Sequence, residues 1–511
     1  MAEREWREAS DMRSSSVGLA LVLATAAVLR YWGLGHGIPH AVSVDEPEIV
    51  ERALHMMKTG TLNPNFFDYG QLHIYIQLVV SIARFLVGAV TGAWSSLAEA
   101  SSASFYLWGR AVTATFGVAT VLLVFRIGMR WGARHALLAA ALMAVMPLHV
   151  RYSHYVLTDT PLTFFVALTM LLALGAHERP ALRAFAFAGA AAGLAAAVKY
   201  NGGLALVMPL VACWMTPAAR PSRLACTVAA IGAAAAAFLL AAPYTLLDLP
   251  GFLDRFASLT AEYRSGATLP ERGDILYLKH LRLQFAWPGM LLIAGGLAMG
   301  LIRAIRGPGR VPWAVALSFT LPFFFIIAQQ QILYARYVLP LTPMLCIFAS
   351  AAVISGVSLL RRYRFPRGVR TALIAGLTLA LLVPPAITAV GFNRLISRQS
   401  TTDLAYAWIL ENIPPGSTIV LEGGHLILPE TYRDDRIPQL RFLSYEGYAQ
   451  KGVDYLVASS QCYGVYLESP QAFRQQYADY MTLFALAPEL ARFTPEKGQP
   501  GPELRILKVR R

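Results

Sequence analysis

Apolar residues run along this chain in long blocks, and polar residues gather in the short stretches between them. Blocks of roughly 20 apolar residues, enough to cross a bilayer as a helix, begin near Val17, Phe105, Ala133, Pro161, Ala184, Gly202, Leu224, Ala286, Val311, Val338 and Thr371. The pattern predicts a polytopic α-helical membrane protein with about eleven transmembrane helices. From Phe392 the blocks stop. TTDLAYAWILENIPPG reads as a helix with a threonine cap and a Pro-Pro-Gly stop, STIVLEG and VDYLVASS as short buried strands, PQAFRQQYADYMTLF as a helix and PELRILKV as a last strand. Helices alternating with strands predict a small α/β domain, and about 110 residues suffice for a core of its own. The expected organisation is a membrane domain over residues 1–391 and an α/β domain over 392–511.

The longest polar interruption of the membrane domain is residues 33–104, between the first two blocks. Pro47 fixes the first turn of a helix there, Glu48 and Glu51 suit its positive end, and Ile49, Ala53, Leu54 and Met57 recur on one face up to Gly60. This predicts an amphipathic helix lying on the membrane, with Asp45 and Glu46 at its N-terminus. The stretch from His73, HIYIQLVVSIARFLVGAV, is apolar enough to pass for a span. As a span it would turn every later loop inside out, so it is predicted as interfacial or partly inserted.

Composition and charge fix class and orientation. Of 511 residues 56% are hydrophobic and 14% charged, with a mean hydropathy of +0.49, too little charge to cover a soluble protein. A net charge of +14 would suit nucleic acid, but the arginines sit between apolar blocks: Arg126, Arg130 and Arg134; Arg179 and Arg183; Arg220 and Arg223; Arg303, Arg306 and Arg310; Arg361, Arg362, Arg364, Arg367 and Arg370. That is a topology signal, not a nucleic-acid surface. By the positive-inside rule these loops and the N-terminus are cytoplasmic. Residues 33–104, 150–160, 199–201, 244–285 and 331–337, and the tail from Phe392, then lie outside the cytoplasmic membrane. The first block shows no cleavage site and is expected to be retained. Cys213, Cys226, Cys346 and Cys462 form neither a disulfide framework nor a zinc pair.

Candidate chemistry falls on the outer side. Asp45 and Glu46 are adjacent carboxylates in the first outer loop, with helix capping as the plain alternative. Asp159, directly before Pro161, faces the same side and has the same alternative. Lys199 with Tyr200, and Arg336 with Tyr337, end spans at the outer surface. They either snorkel to headgroups or bind a lipid phosphate, arginine by its bidentate fork. His154, Tyr155, Lys279, His280 and Arg282 are further candidates to line such a cavity, with structural roles as the alternative.

The run SVDEPEIVERALHMMKTGTLNPNFFDYGQLHIYI resembles the first outer loop of the polyprenyl-phosphate-dependent glycosyltransferases of the GT-C class, in the branch of protein O-mannosyltransferases (glycosyltransferase family 39) and lipid A aminoarabinose transferases. RYSHYVLTDTPLTFF, AAVKYNGG, YARYVLPLTPML and the closing ARFTPEKGQPGPELRILKV resemble later landmarks, so the likeness covers nearly the whole chain. It departs at Gln71, where a proline-rich stretch is usual. The resemblance implies an inverting transfer of a sugar from a polyprenyl-phosphate donor to a protein, lipid or glycan acceptor. It implies Asp45 as general base supported by Glu46, Asp159 as the second acidic landmark, and Lys199 and Arg336 on the leaving phosphate. The class varies in its use of a divalent cation, so the resemblance fixes no cofactor and leaves Mg or Mn as the metal that would serve. Two other readings remain at this point: a transporter or flippase of lipid-linked saccharide, which would place ionisable groups at mid-membrane, and a membrane-anchored binding protein acting through its outer domain. No internal repeat supports the former.

Overall fold

The computed structural model describes residues 2–39, 45–100, 103–217, 221–265, 272–307, 309–363, 365–423 and 426–509. Of the sequence landmarks, Ser43, Val44, Arg220 and Arg364 lie outside them. The chain is a multi-pass helical membrane protein with a mixed α/β sheet toward its C-terminus, and it divides into two compact units. One comprises Met1–Trp32, Arg52–Ala98 and Gly109–Gly391. The other joins Phe392–Arg511 with Gly33–Glu51 and Glu99–Trp108.

Every apolar block forms a helix. In chain order the first twelve are α1 (Ala2–Tyr31), α2 (Pro47–Thr59), α3 (Leu72–Val90), α4 (Ala103–Gly128), α5 (Ala133–Ala144), α6 (Pro147–Tyr152), α7 (Asp159–Glu178), α8 (Leu182–Val198), α9 (Val207–Met215), α10 (Arg223–Ala241), α11 (Tyr244–Leu247) and α12 (Leu249–Ser265). There follow α13 (Gly273–Arg306), α14 (Arg310–Ala328), α15 (Thr342–Arg362) and α16 (Arg367–Ile396). Among the described residues, eight helices are long and apolar enough to cross a membrane. α3, expected at the interface, is one of these by length and composition.

Local chemistry explains the breaks. The block at Ala133 is interrupted at Val145 and Met146, where Pro147 starts α6 and supplies no N–H to continue α5. The carbonyls this leaves are taken by Arg30, fully buried at the end of α1: its guanidinium donates to Ala144 O at 2.9 Å and to Met143 O at 3.0 Å. α13 is kinked at Ala286 (φ 52°, ψ 176°), two residues before Pro288. α8 and α10 touch backbone to backbone: a Cβ on Gly189 or Gly193 would lie 2.0 or 2.1 Å from Ala230 O or Ala234 O, so only glycine permits this approach.

In the second unit α17 (Thr401–Asn412) is capped not by a threonine but by Ser400. Its hydroxyl accepts from Asp403 N at 3.0 Å, while the Asp403 carboxylate accepts from Ser400 N at 2.9 Å. That reciprocal box outcompetes the neighbouring threonines. The sheet runs β2-β1-β3-β5-β4, with β1 (Thr418–Glu422) parallel to β2 (Arg433–Ile437) and β3 (Tyr455–Ser459), and β5 (Leu504–Lys508) antiparallel to β3 and β4 (Glu489–Phe493). α18 (Tyr445–Gln450), α19 (Ser460–Glu468) and α20 (Arg474–Leu486) complete the unit. All four cysteines are free.

Candidate functional site

α7 starts at Asp159, with Pro161 in its first turn as the sequence requires. The preceding Thr158 makes no capping bond through its side chain. The Asp159 carboxylate, 2% exposed as a residue, receives Lys199 Nζ at 2.9 Å on Oδ1 and has Arg336 Nε 3.5 Å from Oδ2. These cations come from places where helices stop. α8 ends at Val198 and Lys199 is extended (φ −155°, ψ 129°) before a 3-10 turn over Tyr200–Leu206. Arg336 and Tyr337 occupy a second 3-10 turn, Ala335–Leu341, ahead of α15. Charged side chains thus reach a buried point from interrupted backbone, not from the middle of a span.

Aromatic rings enclose the lysine. Its Nζ lies 4.4 Å from the Tyr337 ring centre and 5.7 Å from that of Tyr69, and Arg336 stacks 4.6 Å over Tyr334. The Tyr337 hydroxyl meets that of Tyr263 at 2.5 Å, and burial pushes the Tyr263 phenol up from its usual value. Tyr200 donates to the carbonyls of Phe67 and Tyr69, both at 3.0 Å. This ties the segment around Phe67–Tyr69 to the end of α8. A cavity of about 430 Å³ opens here, lined by Lys199, Tyr200, Asn201, Tyr263 and Tyr337 with Asp68 at its wall. Asp68 is in turn gripped by Arg255, which also bonds Glu262 at 2.7 Å.

Five of the sequence candidates, Asp159, Lys199, Tyr200, Arg336 and Tyr337, are therefore neighbours. His154 is held elsewhere in the same unit, its ring nitrogens 2.8 Å from Val150 O and 3.0 Å from Trp32 O. Tyr155 lies under Arg110 at 5.9 Å. On α13, Arg282 stacks 5.6 Å over Trp287 and the His280 ring is 6.4 Å from Tyr277. Asp45 and Glu46 belong to the second unit. Asp45 is half-buried in a turn, and Glu46 is fully buried with its carbonyl accepting the first bonds of α2 from Ile49 N (3.1 Å) and Val50 N (2.9 Å). Both carboxylates thus stand at the positive end of α2. In the same unit Glu51 accepts from the Tyr106 hydroxyl at 2.8 Å. Among the described residues no group of three or more His, Cys, Asp and Glu is gathered as for a metal ion.

Residues 73–255, which include Asp159, Lys199 and Tyr200, match the family described as dolichyl-phosphate-mannose-protein mannosyltransferase. Solved structures agree on the fold across both units. The apo oligosaccharyltransferase of Archaeoglobus fulgidus is 14% identical with a TM-score of 0.60, covering 93% of this chain and 73% of its own. AglB from the same organism, in complex with an inhibitory peptide and a dolichol-phosphate, is 13% identical with a TM-score of 0.58, covering 96% and 74%. ArnT from Cupriavidus metallidurans bound to undecaprenyl phosphate is 15% identical with a TM-score of 0.57, covering 96% of this chain and 98% of its own. No curated protein matches by sequence.

Sequence reasoning passed over Asp68, Arg255, His73 and the buried arginines Arg30 and Arg110. Arg110 had a readable signal, since an ionisable residue inside an apolar block asks for a partner. Asp68, in a polar loop, had none.

Proposed function

We propose that this protein is a membrane glycosyltransferase that moves a sugar from a polyprenyl-phosphate donor to an acceptor on the outer face of the cytoplasmic membrane, with inversion at the anomeric carbon. The observation that carries the reading is the buried trio of Asp159, Lys199 and Arg336 beside a cavity. Two cations converge on one carboxylate in a place where water is scarce. A phosphodiester brings one negative charge for both to attract. When the bond from the anomeric carbon to the phosphate oxygen breaks, charge grows on that phosphate, and the lysine and arginine are already in position to stabilise it. The undecaprenyl phosphate of ArnT and the dolichol-phosphate of AglB support the same donor class.

The acceptor nucleophile forms the new bond to the anomeric carbon and loses its proton to Asp45, with Glu46 supporting that base; polyprenyl phosphate is the leaving group. On this reading residues 1–391 are the catalytic domain. Residues 392–511 lie outside the cell membrane and serve acceptor recognition, and the N-terminus is cytoplasmic. His154 and Tyr155 act as supports of the helix ends.

The test is binding and turnover by the full chain in lipid nanodiscs. Lys199→Ala and Arg336→Ala should each weaken a short-chain polyprenyl phosphate, and Asp45→Asn should abolish transfer while leaving that affinity unchanged. Unaltered lipid phosphate affinity in both cation variants would overturn the reading.

A further inference from the structure

A cavity of about 800 Å³ lies wholly within the second unit, in the size range of sites that take small molecules. One wall is the glycine-rich turn of residues 33–38, directly after α1, and the other is the end of α16 with one face of α17. The walls are fitted to each other. Gly33 is left-handed (φ 82°), and a Cβ on it would lie 3.0 Å from the Ile396 side chain. At Gly35 a Cβ would meet nothing within 4 Å, so bare backbone faces the cavity there. Both walls begin where apolar sequence ends. Tyr31 and Trp32, exposed aromatic residues that close α1, and Arg394, exposed in the last turn of α16, are residue types that mark the headgroup level of a bilayer.

The lining is divided by chemistry. Ile38, Ile396 and Leu410 are apolar, while Arg398 and Asp403 bring one charge of each sign. These charges are not spent on each other. Arg398 donates through Nη1 to Gly498 O at 2.9 Å, and Asp403 uses Oδ2 for Ser400 N and Oγ at the cap of α17, at 2.9 and 2.8 Å. Each group is thus anchored by half: the rest of the guanidinium and Asp403 Oδ1 have no hydrogen bond among the described residues. A ligand that answers a cation, an anion and an apolar strip at headgroup level is a lipid carrying a phosphodiester and a primary ammonium a few bonds apart. We infer that this cavity binds the headgroup of a phosphoethanolamine lipid, with the phosphate on Arg398, the ammonium on Asp403 and the glycerol end against Ile38, Ile396 and Leu410. An anionic lipid without the amine sets uncompensated negative charge beside Asp403, and a free headgroup leaves the apolar strip uncovered. The lipid bridges the turn after α1 and the start of α17, which makes the second unit responsive to the amine content of the membrane. None of this rests on the donor reading.

The experiment measures affinities of the detergent-solubilised full-length protein for dioctanoyl lipids bearing phosphoethanolamine or phosphoglycerol, and for free O-phosphoethanolamine. Wild type should bind the phosphoethanolamine lipid about fivefold more tightly than the phosphoglycerol lipid, the worth of one half-exposed ion pair. The free headgroup should bind about tenfold more weakly than its lipid, or worse, for want of apolar contact. Asp403→Asn keeps an oxygen for Ser400 N and removes the charge. It should bring the phosphoethanolamine lipid down to the phosphoglycerol level. Gly35→Leu, at a position whose backbone accepts a side chain, should fill the cavity and weaken both lipids alike. Phosphoglycerol lipid bound as tightly as phosphoethanolamine lipid by wild type would overturn the inference, because the site would then read the phosphate alone. So would free phosphoethanolamine that matches its lipid. Affinities unmoved by both Asp403→Asn and Gly35→Leu would overturn it as well, being the result expected of lipid held only around the spans.

Discussion

Lys199 Nζ lies 2.9 Å from Asp159 Oδ1, and both residues are nearly excluded from water. They are separated by two helices in sequence, and the pair exists only because α8 stops one residue before the lysine. Removing one partner uncovers a buried charge, which costs roughly 3–5 kcal/mol. Lys199→Met and Asp159→Asn should each lower the melting temperature of the detergent-solubilised protein, and the double variant should lose clearly less than the sum. Strictly additive losses would mean that the two side chains do not stabilise each other.

The membrane helices were legible because their signal is one-dimensional: about 20 apolar residues identify a span whatever surrounds it. β2 was not legible for the opposite reason. Its sequence Arg433-Asp434-Asp435-Arg436-Ile437 is mostly exposed at a sheet edge and has no alternation to read. Asp159, Lys199 and Arg336 could be nominated from their places at span ends. Their convergence could not, because it arises from packing of α7 against α8 and against the 3-10 turn before α15.

Gly70 offers a steric test of how the segment before α3 is seated. This chain has Gly70-Gln71 ahead of α3, and the Cβ of Ala at 70 would meet Ala197 O at 2.0 Å. Gly70→Ala should push the segment off the end of α8 and loosen the bonds from Tyr200 to Phe67 and Tyr69. The expected result is a cost of about 1–3 kcal/mol, as for other overpacked sites, with a raised KM for the glycosyl donor. A variant with wild-type stability and KM would show that the segment is not seated where this contact places it.

Arg30 acts as a cap supplied from another helix. Its guanidinium reaches Ala26 O, Ala144 O and Met143 O and lies 3.0 Å from His149 Nδ1. A lysine keeps the charge but cannot present a planar fork to two successive carbonyls. Arg30→Lys should therefore lower the melting temperature measurably and Arg30→Leu more so. If Arg30→Lys melts like wild type, the charge and not the fork is what the break after α5 requires.

The second unit contains a carboxylate whose burial sets a pH dependence. Glu422, at the end of β1, is 3% exposed and accepts from Tyr480 OH at 2.5 Å, Leu440 N at 2.8 Å and Ser459 N at 2.8 Å. Desolvation pushes its pKa above the ordinary value of 4.5, only partly offset by those three bonds. Between 4.5 and the raised value the folded unit holds a proton that the unfolded chain has released, so stability falls as pH rises through that window and is flat above it. Glu422→Gln should remove the dependence while costing about 1–2 kcal/mol, because its amide nitrogen would face a backbone N–H donor. Hydrogen exchange of the β1 and β3 amides in the full chain, corrected for intrinsic rates, reads both effects. Protection that rises with pH in wild type, or a slope unchanged in Glu422→Gln, would show that another group governs the unit.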